Sequence, residues 1–230
     1  MVPAAMDAPP PPRRNRNWHL TRWLLVFIVA TLGWSGWRAY SFRSALAEAE
    51  ALGWEVENTR PVEEIRVNWM AAFSKSTWLD GVTDIRIPTS EAFEQHLAIV
   101  HRLNPKALVI FDAATLRDLS ALKPLTRLQT VSLKGCTRLT NVDVLKNLPA
   151  LLWIDLKGCA GLTTVDALKH LPALFHVSLE GSTGLTNVDA LKNLSALQEI
   201  TLHGCTGLTK ESVAALKAAL PSANIFSDYR

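Results

Sequence analysis

A 23-residue segment occurs four times in succession in this chain. The copies begin at Leu122, Leu145, Leu168 and Leu191, and the second reads LKNLPALLWIDLKGCAGLTTVDA. A fixed period of this length with leucines at constant offsets predicts a solenoid of stacked units. A single unit cannot bury its apolar face, so the core forms only between neighbours. Such an architecture favours a binding surface over a catalytic pocket.

The charge of the chain argues against nucleic acid as a partner. The net charge is +3 over 230 residues. From Leu108 onward, 12 Lys and Arg residues stand against 10 Asp and Glu residues. Binding to phosphate backbones requires a concentrated basic stripe, and the sequence of the repeats contains none.

Residues 18–40 are predicted to form a transmembrane anchor. An apolar run, Trp23 to Trp37, lies inside them, and about 20 residues cross the ~30 Å hydrocarbon layer. Arginines are more frequent before the run than after it, which favours a cytoplasmic N-terminus and repeats outside the cytoplasm. They are Arg13, Arg14, Arg16 and Arg22 before the run, and Arg38 and Arg43 after it. A cleaved signal peptide, with Ala45 to Ala47 resembling a cleavage site, and a buried core helix are the alternatives.

Four segments follow from these patterns. Residues 1–17 are predicted to form a disordered tail rich in Pro and Arg, and residues 18–40 are predicted to form the anchor. Residues 41–107 hold a juxtamembrane helix and an N-terminal cap with a degenerate repeat, and residues 108–226 hold the repeats. Within the cap, strands are predicted near 54–57 and at 82–87, and helices at 61–76 and at 90–103 with Ser90 as the N-cap. A C-terminal cap helix is predicted at 210–220, with Thr209 before it, and a last short strand at Ile225 and Phe226.

Each unit has apolar residues in one motif. In the second copy it is Leu151, Ile154, Leu156 and Cys159. The motif recurs as Leu128/Val131/Leu133/Cys136, Leu174/Val177/Leu179/Ser182 and Leu197/Ile200/Leu202/Cys205. It resembles the LxxLxLxxN core of leucine-rich repeat proteins over roughly residues 108–226, with cysteine where that family usually has asparagine. The connecting TNVDALKNL resembles the internalin-like variety, and the anchor with its cap resembles bacterial membrane-anchored leucine-rich repeat proteins.

The resemblance implies an α/β solenoid with parallel strands on a concave face and short helical or 3₁₀ turns on a convex face. Strand alternation then predicts which side chains point outward. Three columns result: Thr130, Trp153, His176 and Glu199; Ser132, Asp155, Ser178 and Thr201; and Lys134, Lys157, Glu180 and His203. Ile110, Asp112 and Ala114 are predicted to extend them toward the N-terminus.

These columns are the predicted binding site for a protein or peptide. Their residues vary between units while the leucines do not, although a merely solvated face looks the same. Trp153 is the predicted anchor, because tryptophan often dominates the energy of an interface. The alternative is that Trp153 packs against Phe175 or a neighbouring unit.

Two other columns receive structural interpretations. Cys136, Cys159 and Cys205 share one offset and are predicted to be small buried groups; a metal site, a redox pair and a disulfide are the alternatives. Asp143, Asp166 and Asp189 are predicted to cap helical turns and to pair with lysines three residues later, with a calcium ladder as the alternative.

The sequence therefore predicts a non-catalytic, membrane-anchored protein that binds another protein through its concave face. We expect no catalytic residue, cofactor or metal. The alternatives are a structural subunit of an envelope or membrane complex, a cytoplasmic adaptor that recruits substrates, and a thiol-dependent enzyme.

Overall fold

The computed structural model describes residues 18–58, 82–111 and 113–229. The predicted tail at 1–17, the predicted helix at 61–76 and Asp112 lie outside these residues. The chain divides into two compact units, one ending at Ser41 and one beginning at Phe42.

The first helix, α1, runs over Trp18–Ala51 and is 34 residues long. In the first unit, the guanidinium carbon of Arg38 lies 4.7 Å from the centroid of the Trp34 ring. The helix ends at Ala51, and Gly53, two residues later, has a φ of +73°, in the left-handed region where glycine carries no steric penalty. Within the described residues, no helix combines the length and the apolar character that crossing a membrane requires. The transmembrane anchor is therefore not confirmed and stays a prediction.

The second unit is built on one eight-stranded sheet in which the strands follow one another in chain order. Strand β1 is antiparallel to β2, and every later pair is parallel. The strands are β1 Glu55–Asn58, β2 Val82–Ile87, β3 Ala107–Ile110, β4 Thr130–Ser132, β5 Trp153–Asp155, β6 His176–Ser178, β7 Glu199–Thr201 and β8 Asn224–Phe226. This order confirms a parallel solenoid, and the predicted strands at 54–57 and 82–87 are present.

The 23-residue spacing extends further toward the N-terminus than the repeated sequence does. Asp84 pairs with Ala107, and Ala107 pairs with Thr130. Ile110 is buried, so the prediction that it extends the outward columns is wrong. The reason is strand alternation: Ala107 and Val109 occupy the outward positions of β3, and Ile110 points into the core.

The core is a continuous stack of aliphatic side chains. Leu151, Ile154 and Leu156 are fully buried, as are their counterparts in the neighbouring units. One buried cluster includes both these repeat residues and Ile85 of β2. On the side of the units away from the sheet, the chain forms 3₁₀ turns at Ser120–Leu122, Asp143–Asn147, Asp166–His170 and Asp189–Leu191.

The helix predicted at 90–103 is two helices, α2 (Ser90–Gln95) and α3 (Leu97–Leu103). The prediction of Ser90 as N-cap is wrong, because Thr89 Oγ1 accepts the hydrogen bond from the Ala92 N–H at 3.1 Å. Ser90 is instead buried and its hydroxyl contacts that of Thr115.

The C-terminal cap is helix α4, Lys210–Ala219, followed by β8. Its predicted N-cap is confirmed, since the Thr209 side chain accepts a hydrogen bond from the Ser212 N–H at 3.2 Å.

Candidate protein-binding face

The sheet brings the twelve predicted site residues together in the predicted columns. Thr130, Trp153, His176 and Glu199 are register partners in turn, and so are Ser132, Asp155, Ser178 and Thr201. The residues between them, Val131, Ile154, Val177 and Ile200, are fully buried. We call the surface formed by the twelve residues the sheet face.

The first column contains an aromatic contact, next to which a carboxylate approaches the histidine ring. The rings of Trp153 and His176 have centroids 4.4 Å apart and are tilted by 43°. His176 Nδ1 lies 3.6 Å from Glu199 Oε2. Trp153 thus packs against His176 of the neighbouring unit, as the alternative interpretation predicted. Even so, half of Trp153 (50%) remains exposed.

The second column is held by hydrogen bonds to one carboxylate. Asp155 Oδ2 accepts from the Ser132 hydroxyl at 3.3 Å, and Asp155 Oδ1 accepts from the Lys157 N–H at 3.0 Å. These bonds fix the carboxylate against its own strand and the preceding one.

The third column is a ladder of charges. Lys157 Nζ lies 2.6 Å from Glu180 Oε1, and His203 Nδ1 lies 3.0 Å from Asp228 Oδ1. The Gly204 N–H donates to Asp228 Oδ2 at 2.7 Å. The pKa of the Asp228 carboxyl is held below its usual value, mainly by the hydrogen bond with His203 and next by that from Gly204.

Two exposed apolar residues beside Trp153 were not predicted as site residues. Leu152 is 41% exposed and Phe175 is 46% exposed. They stand at the same offset in adjacent units, where the Phe175 N–H donates to the Leu152 carbonyl oxygen at 2.8 Å. We call Leu152, Trp153 and Phe175 the apolar patch. A comparison of the four copies would have predicted that this position is exposed, because the flanking copies have Gln129 and Gln198 at the same offset.

The cysteine column is structural. All three cysteines are buried and free. Cys159 Sγ donates to the Leu133 carbonyl at 3.4 Å and Cys205 Sγ to the Leu179 carbonyl at 3.0 Å. Ser182 makes the same bond, to the Leu156 carbonyl at 3.1 Å. Each of these side chains thus ties its unit to the previous one.

The environment of these thiols disfavours the thiolate. Burial raises the pKa of Cys205 to about 11. A hydrogen bond with Cys159, together with burial, raises the pKa of Cys136. A thiolate is the nucleophilic form, so these two residues lack the character of a catalytic cysteine. Among the described residues, no group of three or more His, Cys, Asp and Glu side chains is placed to hold a metal ion.

The aspartate column does not cap the 3₁₀ turns, and that prediction is wrong. The side-chain bonds come from two residues earlier, where Asn141, Thr164 and Asn187 accept from the backbone N–H groups of Asp143, Asp166 and Asp189. These short turns begin at the aspartates, so the bond that fixes each turn's start comes from the preceding loop. The predicted lysine pairing is present between Asp189 and Lys192.

This geometry is that of a leucine-rich repeat fold. Parallel strands recur every 23 residues between Asp84 and Glu199, a buried aliphatic ladder lies behind them, and 3₁₀ turns close the interior units. These three features are the evidence for the fold.

Comparison with known proteins gives matches among solved structures. No protein-family model matches the chain, and no curated protein matches it. Internalin C2 of Listeria monocytogenes is 23% identical over 58% of this chain and 65% of that one, with a TM-score of 0.43. A second internalin of L. monocytogenes is 18% identical over 57% of this chain and 50% of its own, with a TM-score of 0.34.

A leucine-rich repeat protein of Leptospira interrogans is also similar. It is 14% identical over 56% of this chain and 38% of its own, with a TM-score of 0.39. The matched part of this chain thus spans less than two thirds of each of the three proteins.

Proposed function

We propose that the second unit is a non-catalytic binding module whose sheet face contacts another protein or a peptide. One observation carries this proposal. The apolar patch lies at the start of β5 and β6, beside the eleven polar residues of the sheet face, and each of its three side chains is between 41% and 50% exposed. Contiguous apolar surface with a polar rim marks interaction sites.

The patch has the composition of an interface centre. Tryptophan is among the side chains that contribute most to binding when a partner covers them. Trp153 is also held in place by the His176 ring at 4.4 Å. A side chain that is ordered before binding loses less entropy on association. The contact with His176 therefore lowers the entropic cost of binding a partner through Trp153.

Affinity capture with the full chain as bait tests the proposal. We expect Trp153→Ala to reduce recovery of the partner at least about tenfold, since removing a central aromatic costs about 2 kcal/mol or more. The matched control is Lys146→Ala, an exposed residue on the 3₁₀ turn at Asp143–Asn147. Equal recovery of every partner by both variants and the unchanged protein would contradict binding through this face.

We also propose that residues 18–40 attach the protein to a membrane, with the N-terminus in the cytoplasm and the repeats outside. The apolar run from Trp23 to Trp37 and the excess of arginines before it support this. The test is extraction of membranes at alkaline pH, combined with a topology reporter fused after Arg230. We expect the protein to stay with the membrane and the reporter to be active outside the cytoplasm. Release into the supernatant, or a reporter active only in the cytoplasm, would contradict the attachment or its orientation.

A further inference from the structure

The exposed residues just before strands β4 to β7 follow a symmetric order. Glutamines precede the two outer strands and apolar residues precede the two inner ones: Gln129, Leu152, Phe175 and Gln198. These four residues are neighbours, because the backbone N–H of each donates to the carbonyl oxygen of the one before it at 2.8 to 2.9 Å. Across the strands, the apolar patch is therefore centred between β5 and β6, although along the strands it lies at their start.

The charges of the third column have the opposite symmetry. From β4 to β7 the order is Lys134, Lys157, Glu180 and His203, and His203 pairs with Asp228 at 3.0 Å. The lysines thus lie on one side of the line between β5 and β6, and the carboxylates of this column lie on the other. The face as a whole is weakly acidic, since with neutral histidines its two lysines stand against Asp155, Glu180, Glu199 and Asp228. The order of the charges, and not their sum, is what a partner can match.

A surface with this order is complementary to itself. In a dimer with a two-fold axis the same patch is used by both copies, so residue i contacts residue j and j contacts i. If the axis runs along the strands between β5 and β6, then β4 of one copy faces β7 of the other, and β5 faces β6. Each residue keeps its column, because rotation about the strand direction leaves its position along the strand unchanged. Three central pairs result: Leu152 with Phe175, Trp153 with His176, and Lys157 with Glu180.

This arrangement sets no two like charges of the sheet face against each other. The outer and second-column pairs are Lys134 with His203 and Asp228, Asp155 with Ser178, and Glu199 with Thr130. Lys157 and Glu180 already pair within one copy at 2.6 Å, and with the same residues of a second copy they form a ring of four alternating charges. An axis across the strands, through the second column, would instead set Trp153 against Lys157 and keep the two apolar patches apart.

We propose that two copies of this protein associate through their sheet faces, about a two-fold axis that runs along the strands between β5 and β6. This rests on the proposed function, with a second copy as the protein that is bound. Burial of the two apolar patches favours association, and the alternating charges fix the orientation. Strands β4 to β7 span about 15 Å, and Leu152 to Lys157 about 16 Å. A contact of this size is small, so we expect a reversible dimer that depends on concentration.

The test exchanges charges between copies of the full chain. Copies with two different tags are co-expressed, the first tag is captured, and recovery of the second tag is measured. With Lys157→Glu in both copies, two carboxylates face each other on either side of the axis, and with Glu180→Lys in both copies two ammonium groups do. We expect each substitution to reduce recovery at least about tenfold, because like charges that face each other oppose association and each pair occurs twice.

Co-expression of Lys157→Glu with Glu180→Lys should restore recovery, since each carboxylate then faces an ammonium group of the other copy. Positions 157 and 180 of each chain still carry like charges, so a repaired contact within one chain cannot explain the rescue. The matched control is Lys146→Glu, the same charge change on a 3₁₀ turn, which should leave recovery unchanged. Thermal unfolding checks that all variants remain folded, as expected for substitutions of surface charges.

The inference and the proposed function fail in different ways. If the unchanged protein never recovers its second copy, or if the mixed pair gives no rescue, the inference is overturned and the capture experiment alone decides the proposed function. Self-association that Trp153→Ala and both charge variants leave unchanged also overturns the inference, because the copies then meet elsewhere. Recovery of a different protein in place of the second copy, lost with Trp153→Ala, would overturn the inference and support the proposed function.

Discussion

The interior units and the two ends of the solenoid connect their strands differently. Interior strands are joined through 3₁₀ turns such as Asp166–His170. At the N-terminal end, β2 and β3 are joined through α2 and α3, and at the C-terminal end β7 and β8 are joined through α4. The strand spacing stays at 23 residues from β2 to β7, although the sequence repeats only inside. The 23-residue spacing is therefore set by the stacking of the strands and does not need the repeated sequence. The repeated sequence meets a second structural requirement.

That constraint is the close approach of successive loops. A Cβ added at Gly184 would lie 2.5 Å from the carbonyl oxygen of Ala160 in the previous unit, and one at Gly161 would lie 2.5 Å from that of Thr137. The first copy has Arg138 at this offset, because the unit before it is not a copy. The copies that follow another copy have glycine there, at Gly161, Gly184 and Gly207, and each glycine meets the same close approach, whereas the first copy has Arg138.

The largest expected effect comes from the core that both regions share. We expect Leu156→Ala in an interior unit and Leu108→Ala in β3 to lower the free energy of unfolding by about 2 to 5 kcal/mol each. Both leucines are fully buried and belong to one cluster. Denaturant unfolding measures this.

An unchanged melting temperature for Leu156→Ala would contradict its burial. A large effect for Leu156→Ala with none for Leu108→Ala would instead separate the N-terminal strands from the repeat core.

A smaller effect isolates the loop contact. We expect Gly184→Ala to cost about 1 to 3 kcal/mol, the range for forcing an extra methyl group into a packed site. The matched control is Arg138→Ala at the same offset in the first copy, which should stay within about 0.5 kcal/mol because a side chain is already accommodated there. Equal effects of the two substitutions would show that loop contact does not distinguish the interior from the end.

The smallest effect concerns the C-terminal end of the sheet. In the interior, the Gly158 N–H donates to the backbone carbonyl of Glu180, whereas the Gly204 N–H donates to the Asp228 carboxylate. Because the pKa of Asp228 is lowered in the folded protein, its stabilisation is complete above the unfolded value of about 3.9 and is lost as pH falls through the lower folded value.

We therefore expect Asp228→Asn to lower the melting temperature slightly at pH 7, and we expect this difference to disappear as the pH falls through the lowered pKa of Asp228 in the folded protein. Thermal melts across this range, compared with those of the unchanged protein, measure the difference. A gap between the two proteins that persists or grows in acid would contradict the role of the carboxylate.

Much of the fold is predictable because every interior unit has the same pattern of buried and outward positions. Once Leu151, Ile154 and Leu156 are assigned to the core, alternation places Trp153 and Asp155 on the sheet face. The same reasoning misplaced Ile110, since no repeated sequence sets the register at that end.

Tertiary contacts account for other differences. The division between α2 and α3 falls at His96, which has a φ of −120° and no neighbouring Pro or Gly. Its ring packs edge-on against Trp54 at 6.0 Å, a contact between distant segments that local propensity does not contain. Leu152 and Phe175 were missed for another reason, because leucine and phenylalanine are read as core residues until their exposure is known.

Photo-cross-linking in intact cells tests most directly whether a partner covers the sheet face. A photoreactive phenylalanine would replace Ser178 on β6, and in a matched variant Lys169 on the 3₁₀ turn at Asp166–His170. We expect a discrete cross-linked product from position 178 that disappears when Trp153→Ala is added, and none from position 169. A product from position 169 alone would contradict binding through the sheet face.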